Sequence, residues 1–233
     1  MTSTPQNLSS APSPDAQRSH HPGRYSFDEA WFEHRRPAWE QHLRPLGHQQ
    51  LDILEIGAFE GASTTWMLDH LAHHENSSVT SVDTFEGGID YKVTEMASYQ
   101  ANTLKDRFLR NVDACANRRK LRVMATTSEE ALLQLRGERR MFHIVYIDGS
   151  HTAADVLSDA VLAWPMLNEG GLMIFDDLNW NEYTHEAYTP GPAIAGFIRC
   201  MAPHVDAMAV AGQMWVQRTP CRIPAERRRP AAN

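Results

Sequence analysis

The chain has 233 residues, 42% of them apolar and 22% charged, with a net charge of −7; that suffices for one α/β domain with a full core plus tails. The acidic balance argues against a general nucleic-acid or anionic-membrane surface, because phosphate binding draws on clustered Lys and Arg, and the one basic cluster, ERRR at 226–229, lies in a proline-bearing tail. No run approaches the roughly 18–20 apolar residues of a bilayer span, no basic-then-apolar leader is visible, and Cys115, Cys200 and Cys221 are odd in number and far apart, so a cytoplasmic protein with free thiols is expected.

Residues 1–24 are rich in Ser, Pro, Thr, Gln and His and nearly devoid of large apolar side chains, which predicts a disordered tail. A single domain follows over 25–218. From Ser26, a candidate N-cap, to Leu46, the residues Phe27, Trp31, Trp39, Leu43 and Leu46 fall at near-helical spacing, so a cap helix over 26–46 is predicted, its aromatic side chains placed to cover a site. Then strands at 51–56, 78–82, 121–124, 141–147 and 171–175 alternate with helices at 62–73, within 93–116, at 128–135, at 152–167 and near 191–201. Two last strands, near 204–210 and 213–217, are joined by the tight AGQ turn and read as a hairpin. Short loops between alternating strands and helices predict a Rossmann-like, doubly wound, mostly parallel seven-stranded sheet with one antiparallel edge strand. From Thr219 to 233 a flexible tail is expected.

Four strands end abruptly in glycine or acid: EIGAFEG (55–61), SVDTFEGG (81–88), VYIDGSH (145–151) and GGLMIFDD (170–177). In a parallel sheet these ends share the carboxyl edge, where open α/β folds keep their ligands. Gly57 and Gly61 let backbone approach a ligand, and the helix that follows offers free N–H groups to a carboxylate or phosphate. The G-x-G-x-x-G form of dinucleotide folds is absent, so the turn suits one nucleoside with a small charged end. Asp83, a little over 20 residues after the turn, can accept both ribose hydroxyls.

On these motifs, residues 50–217 resemble the class I S-adenosylmethionine-dependent methyltransferases, in particular the divalent-metal catechol O-methyltransferase type and the macrocin O-methyltransferase-like enzymes. The resemblance implies Glu55, Gly57 and Gly61 around the methionine end of the cofactor, Ser63 on its carboxylate, Asp83 on the ribose, and Thr127 and Ser128 beside the adenine, where helix capping is an equal reading. Asp148 would face the cofactor as well.

Asp148 ends the fourth strand and Asp176 and Asp177 end the fifth. Three carboxylates converging without a nearby Lys or Arg would repel, and Mg²⁺ or another divalent cation would relieve that cost. The resemblance implies the same metal ligands, Asp148, Asp176 and Asp177. His151, three residues after Asp148, stands where catechol-type members carry a lysine base and where a sugar-hydroxyl branch carries histidine; its ordinary pKa suits proton abstraction. The expected function is therefore O-methylation of a small-molecule hydroxyl, in a natural product, sugar or catechol, with a metal template and His151 as base. One alternative is metal-independent transfer using Asp148 with His151, and another is a non-catalytic S-adenosylmethionine-binding protein. The aromatic, turn-rich segment 178–192 is a candidate pocket wall. A homodimer is compatible with the resemblance, and neither nucleic acid nor membrane is an expected partner.

Overall fold

The computed structural model describes residues 24–87, 103–180 and 183–221. Seven strands, β1 (Asp52–Ile56), β2 (Ser78–Val82), β3 (Leu121–Met124), β4 (Phe142–Ile147), β5 (Leu167–Phe175), β6 (Val205–Val210) and β7 (Gln213–Arg218), form one sheet in the order β3-β2-β1-β4-β5-β7-β6. The first five run parallel, while β7 pairs antiparallel with both β5 and β6. The expected hairpin thus closes one edge, and its reversed member β7 lies between β5 and the outer strand β6. β1 and β2 each have one partly buried residue followed by four buried ones, as strands covered on both faces require.

One face carries α2 (Ala62–His70), α3 (Leu104–Asp113) and the N-terminal segment; the other carries α4 (Ser128–Gly137), α5 (Ala153–Ala163) and α6 (Gly191–Met201). α3 shows how a short helix commits to a face: Leu104, Phe108, Asn111 and Val112 are buried at spacings of four, three and one, and the remaining positions are largely charged. β5 begins four residues before its expected start, and the register slips between Phe142 and Ile144 of its partner. The slip coincides with Gly170 at φ 81° and with Gly171, whose absent Cβ would lie 2.8 Å from the Asn168 carbonyl.

The cap is not the continuous helix predicted over 26–46. Residues Trp31–His34 make one 3₁₀ turn, α1 spans only Arg36–His42, and Arg44–Leu46 make a second 3₁₀ turn. Pro37 is tolerated only in the first turn of a helix, so α1 must begin at its doorstep, and Pro45 prevents its continuation. Ser26 caps nothing; its N–H donates to Asn111 Oδ1 at 2.9 Å. The expected aromatic packing survives the break. Trp39, 1% exposed, meets Trp66 and Tyr146 edge-on at 5.2 and 4.9 Å.

The expected tails and the first part of the helix placed within 93–116 lie mostly outside the described residues. Where the tails are described they are held: Arg24 donates to the Ala114 carbonyl, and the N–H of the buried Thr219 donates to the His204 carbonyl at 2.7 Å. Among the described residues no helix is long and apolar enough to cross a membrane.

Candidate active site

The carboxyl edge lines up in register. Ile56 pairs with Val82 and Ile147, and Ile147 with Phe175, so the next residues, Gly57, Asp83, Asp148 and Asp176, form a row. Backbone bonds extend the ladder into that row, from Gly57 N–H to the Val82 carbonyl, Asp148 N–H to Ile56 and Asp176 N–H to Ile147, at 2.9, 2.8 and 2.9 Å. The predicted residues are therefore brought together by strand pairing alone.

Gly57 has φ 86°, and a Cβ there would lie 1.9 Å from the Asp148 carbonyl oxygen. A side chain would break the contact between the β1 and β4 ends. Gly61, at φ 87°, is the N-cap of α2 and supplies no capping side chain, so the first turn of α2 presents N–H groups to a ligand. Asp83 shapes the turn: its Oδ2 accepts the Ala58 and Phe59 N–H groups at 2.8 and 2.9 Å, and Oδ1 accepts Phe85 N–H at 2.7 Å. Trp31 stacks on Phe59 at 4.8 Å, which puts the cap segment over the glycine turn.

Glu55 and Ser63 serve each other. Glu55 is fully buried and accepts from Ser63 Oγ (2.5 Å), Thr64 Oγ1 (2.6 Å) and Ser81 Oγ (2.5 Å). Burial pushes its carboxyl up to about 7, against the opposing pull of those hydroxyls. Both residues thus act from beneath the turn, and Ser63 spends its hydroxyl on Glu55. Thr127 is the N-cap of α4, accepting Glu130 N–H at 3.3 Å, and Ser128 bonds Asp159 on the helix side.

The acidic cluster forms, but it is not bare. Arg35, from the junction of the first 3₁₀ turn and α1, donates from Nε to Asp176 Oδ1 at 2.7 Å and from Nη2 to Asp177 Oδ1 at 3.2 Å. The expectation that no cation lies near these acids is corrected by a residue 141 positions upstream. Asp176 is saturated: Oδ1 also accepts Asp177 N–H at 2.7 Å, while Oδ2 accepts Gln213 Nε2 at 2.9 Å and the Tyr146 hydroxyl. Tyr146 also lies 2.7 Å from Asp148 Oδ2. A single phenolic proton cannot serve two carboxylates, and burial, followed by the Asp176 and Asp177 charges, pushes Asp148 well above the usual carboxylate range.

These residues do not fit a divalent ion as arranged. A hard cation needs about six oxygens with open lone pairs, and both oxygens of Asp176 are already doubly engaged. Among the described residues no group of three acidic, histidine or cysteine side chains is disposed to hold a metal. His151 Nε2 instead lies 2.9 Å from Asp177 Oδ2, with Trp180 stacked on the ring at 4.3 Å. Asp177 reaches this position with φ 54°, a left-handed conformation that aspartate tolerates better than most residues. Beyond Trp180, a hollow of about 280 Å³ is lined by Leu178, Tyr183, Glu186 and Thr189, within the segment expected to form a pocket wall. Arg35, Tyr146 and Gln213 are the site residues the sequence reading did not single out.

Solved structures share this architecture. The O-methyltransferase from Bacillus cereus in complex with S-adenosylhomocysteine is 19% identical, with 78% of this chain and 81% of that one aligned at a TM-score of 0.57. MycE of the mycinamycin biosynthetic pathway, in complex with Mg and S-adenosylhomocysteine, is 18% identical over 84% of this chain and 52% of its own, with a TM-score of 0.55. TomG from Streptomyces achromogenes, an O-methyltransferase of tomaymycin synthesis in complex with S-adenosylmethionine, is 13% identical over 81% and 80%, also at 0.55. At such identities these likenesses establish the fold. No curated protein matches the chain. The family model described as "Methyltransferase domain" matches residues 54–178, just over half of the chain, from within β1 to just past the acidic pair. The chain therefore belongs to the methyltransferase-domain family, on the class I methyltransferase fold.

Proposed function

We propose that the protein transfers the methyl group of S-adenosylmethionine to a hydroxyl oxygen of a small molecule, with His151 as proton acceptor. The observation that carries this reading is the His151–Asp177 pair, 2.9 Å apart, at the same sheet edge as the Gly57 turn and Asp83. The chemistry of the edge suits the cofactor: an uncapped helix N-terminus for a carboxylate, and an acid at the end of β2 for ribose hydroxyls. When bound, S-adenosylmethionine supplies a methyl group on a sulfonium, open to in-line displacement.

The residues of the chain then have three tasks. The Gly57–Gly61 turn and Asp83 hold the donor. The aromatic wall of Trp180 and Tyr183 beside the 280 Å³ hollow orients the acceptor. His151 takes the hydroxyl proton as the O–C bond forms and the S–C bond breaks, and Asp177 stabilises the resulting imidazolium. The roles of MycE in mycinamycin biosynthesis and of TomG in tomaymycin synthesis support a search among natural products, beside catechols and sugars.

Calorimetric titration with S-adenosylhomocysteine, followed by methyl transfer to a panel of catechols, vicinal diols and glycosides, tests the reading. His151→Gln should lower transfer about 10²–10⁴-fold and leave S-adenosylhomocysteine affinity unchanged. Failure of the wild type to bind S-adenosylhomocysteine would overturn the assignment, and full activity in His151→Gln would remove the base.

A further inference from the structure

We propose that Arg35 is the resident cation of the acidic cluster: its guanidinium is seated where Asp176 and Asp177 would otherwise gather a divalent ion, and the cluster binds such ions only when Arg35 is removed.

The seat is built from two parts of the chain, both distant from Arg35. Asp176 and Asp177 supply the carboxylates that accept from Nε and Nη2, and Nη1 donates to the Ala211 carbonyl in the β6–β7 turn at 3.1 Å. Every guanidinium nitrogen is therefore engaged. The neighbouring Gly212, at φ 80°, leaves room for this: a Cβ there would come within 2.9 Å of Nη1. Gln213 braces the seat from below, giving Nε2 to Asp176 while its Oε1 accepts from the indoles of Trp39 and Trp215 at 2.9 and 3.0 Å.

Charge and geometry point the same way. Asp176 and Asp177 bring two negative charges to adjacent positions, and the planar fork meets one oxygen of each. The Arg35 side chain is 19% exposed and that of Asp176 only 6%, so this is a largely desolvated pairing in which loss of the cation leaves a buried charge uncompensated. A divalent ion could enter only by evicting the guanidinium from all three of its partners. Because Asp177 also pairs with His151, the same fork fixes the carboxylate that orients the imidazole. Arg35 is thus a positioning residue as well as a counter-ion.

The test uses the full chain stripped with chelator, and Mn²⁺ as the probe, followed by electron paramagnetic resonance of the free ion. The wild type should show no saturable site. Arg35→Gln should gain one, at least about tenfold tighter than any residual binding by the wild type, because two carboxylates lose their counter-charge, and adding Asp177→Asn should abolish it. A wild-type site as tight as that of Arg35→Gln, lost on Asp177→Asn, would overturn the proposal, and so would the absence of a site in Arg35→Gln. Should Arg35→Gln fail to fold, the wild type decides alone: a site removed by Asp177→Asn overturns the proposal and its absence upholds it. The S-adenosylhomocysteine titration on the same samples reports the methyltransferase reading separately, so either inference can fail without the other.

Discussion

Glu55 offers a quantitative test of what lies beneath the glycine turn. Its carboxyl is buried among three hydroxyl donors, and burial outweighs them, moving the group from an ordinary value of 4.5 to about 7. Between those two pH values the folded protein keeps a proton that the unfolded chain has released. The contribution to stability is therefore complete below about 4.5 and is lost as the pH rises through about 7. A rise of about 2.5 pH units at about 1.4 kcal/mol each amounts to roughly 3 kcal/mol. Glu55→Gln keeps the shape and cannot titrate. Urea unfolding of both proteins from pH 4.5 to 8 isolates the term, because all other groups cancel in the difference. The wild type should lose about 3 kcal/mol relative to Glu55→Gln across that range and run parallel to it above about pH 8. A constant gap would refute the reasoning. A wild type that gains on the variant as pH rises would show that Ser63, Thr64 and Ser81 hold the group as a carboxylate.

Three further outcomes follow from the geometry. Gly57→Ala should cost at least about 2 kcal/mol in urea unfolding, since the new Cβ meets the Asp148 carbonyl at 1.9 Å in a left-handed conformation. Trp39→Ala removes a fully packed indole that touches Trp66 and Tyr146 and bonds Gln213, and should lower stability by about 3–5 kcal/mol. Asp83→Ala strips the acceptor from three backbone N–H groups of the turn region, and S-adenosylhomocysteine affinity measured by calorimetry should weaken about 10–100-fold.

Much of the framework is legible because strand ends are local signals. An apolar run stopped by glycine or acid fixes both an element and its edge, and parallel pairing then aligns Gly57, Asp83, Asp148 and Asp176 without long-range information. The N-terminal cap was harder, since aromatic spacing continued through Pro37 and Pro45, and the prolines rather than the spacing decide where α1 begins and ends. Tyr146 had a signal that was not used: two positions before Asp148 on a strand, it must point to the same face. Arg35 had none. Its partners lie 141 and 142 positions away, and the only local cue was one arginine of an Arg-Arg pair on a segment that read as an ordinary amphipathic helix. Ser63, Thr127 and Ser128 show the converse: hydroxyls expected to face a ligand here bond inward to Glu55, to a helix end and to Asp159.

The inference from three acids to a metal rests on a step that the proposed role of Arg35 would replace. Repulsion among carboxylates demands compensation, but it does not specify the compensating charge, and a guanidinium brought by the fold satisfies the same electrostatics as an ion brought from solution. The two solutions differ in what they leave available. A metal offers open coordination positions to a substrate oxygen, whereas Arg35 spends its donors on Asp176, Asp177 and Ala211. With that fork in place, the proposed mechanism puts the burden of activating a hydroxyl on the histidine held by Asp177. On that proposal the acceptor would be recognised by the aromatic wall beside it rather than by chelation. A single hydroxyl next to an apolar or aromatic body would satisfy such a site, and a vicinal diol would have no advantage over it.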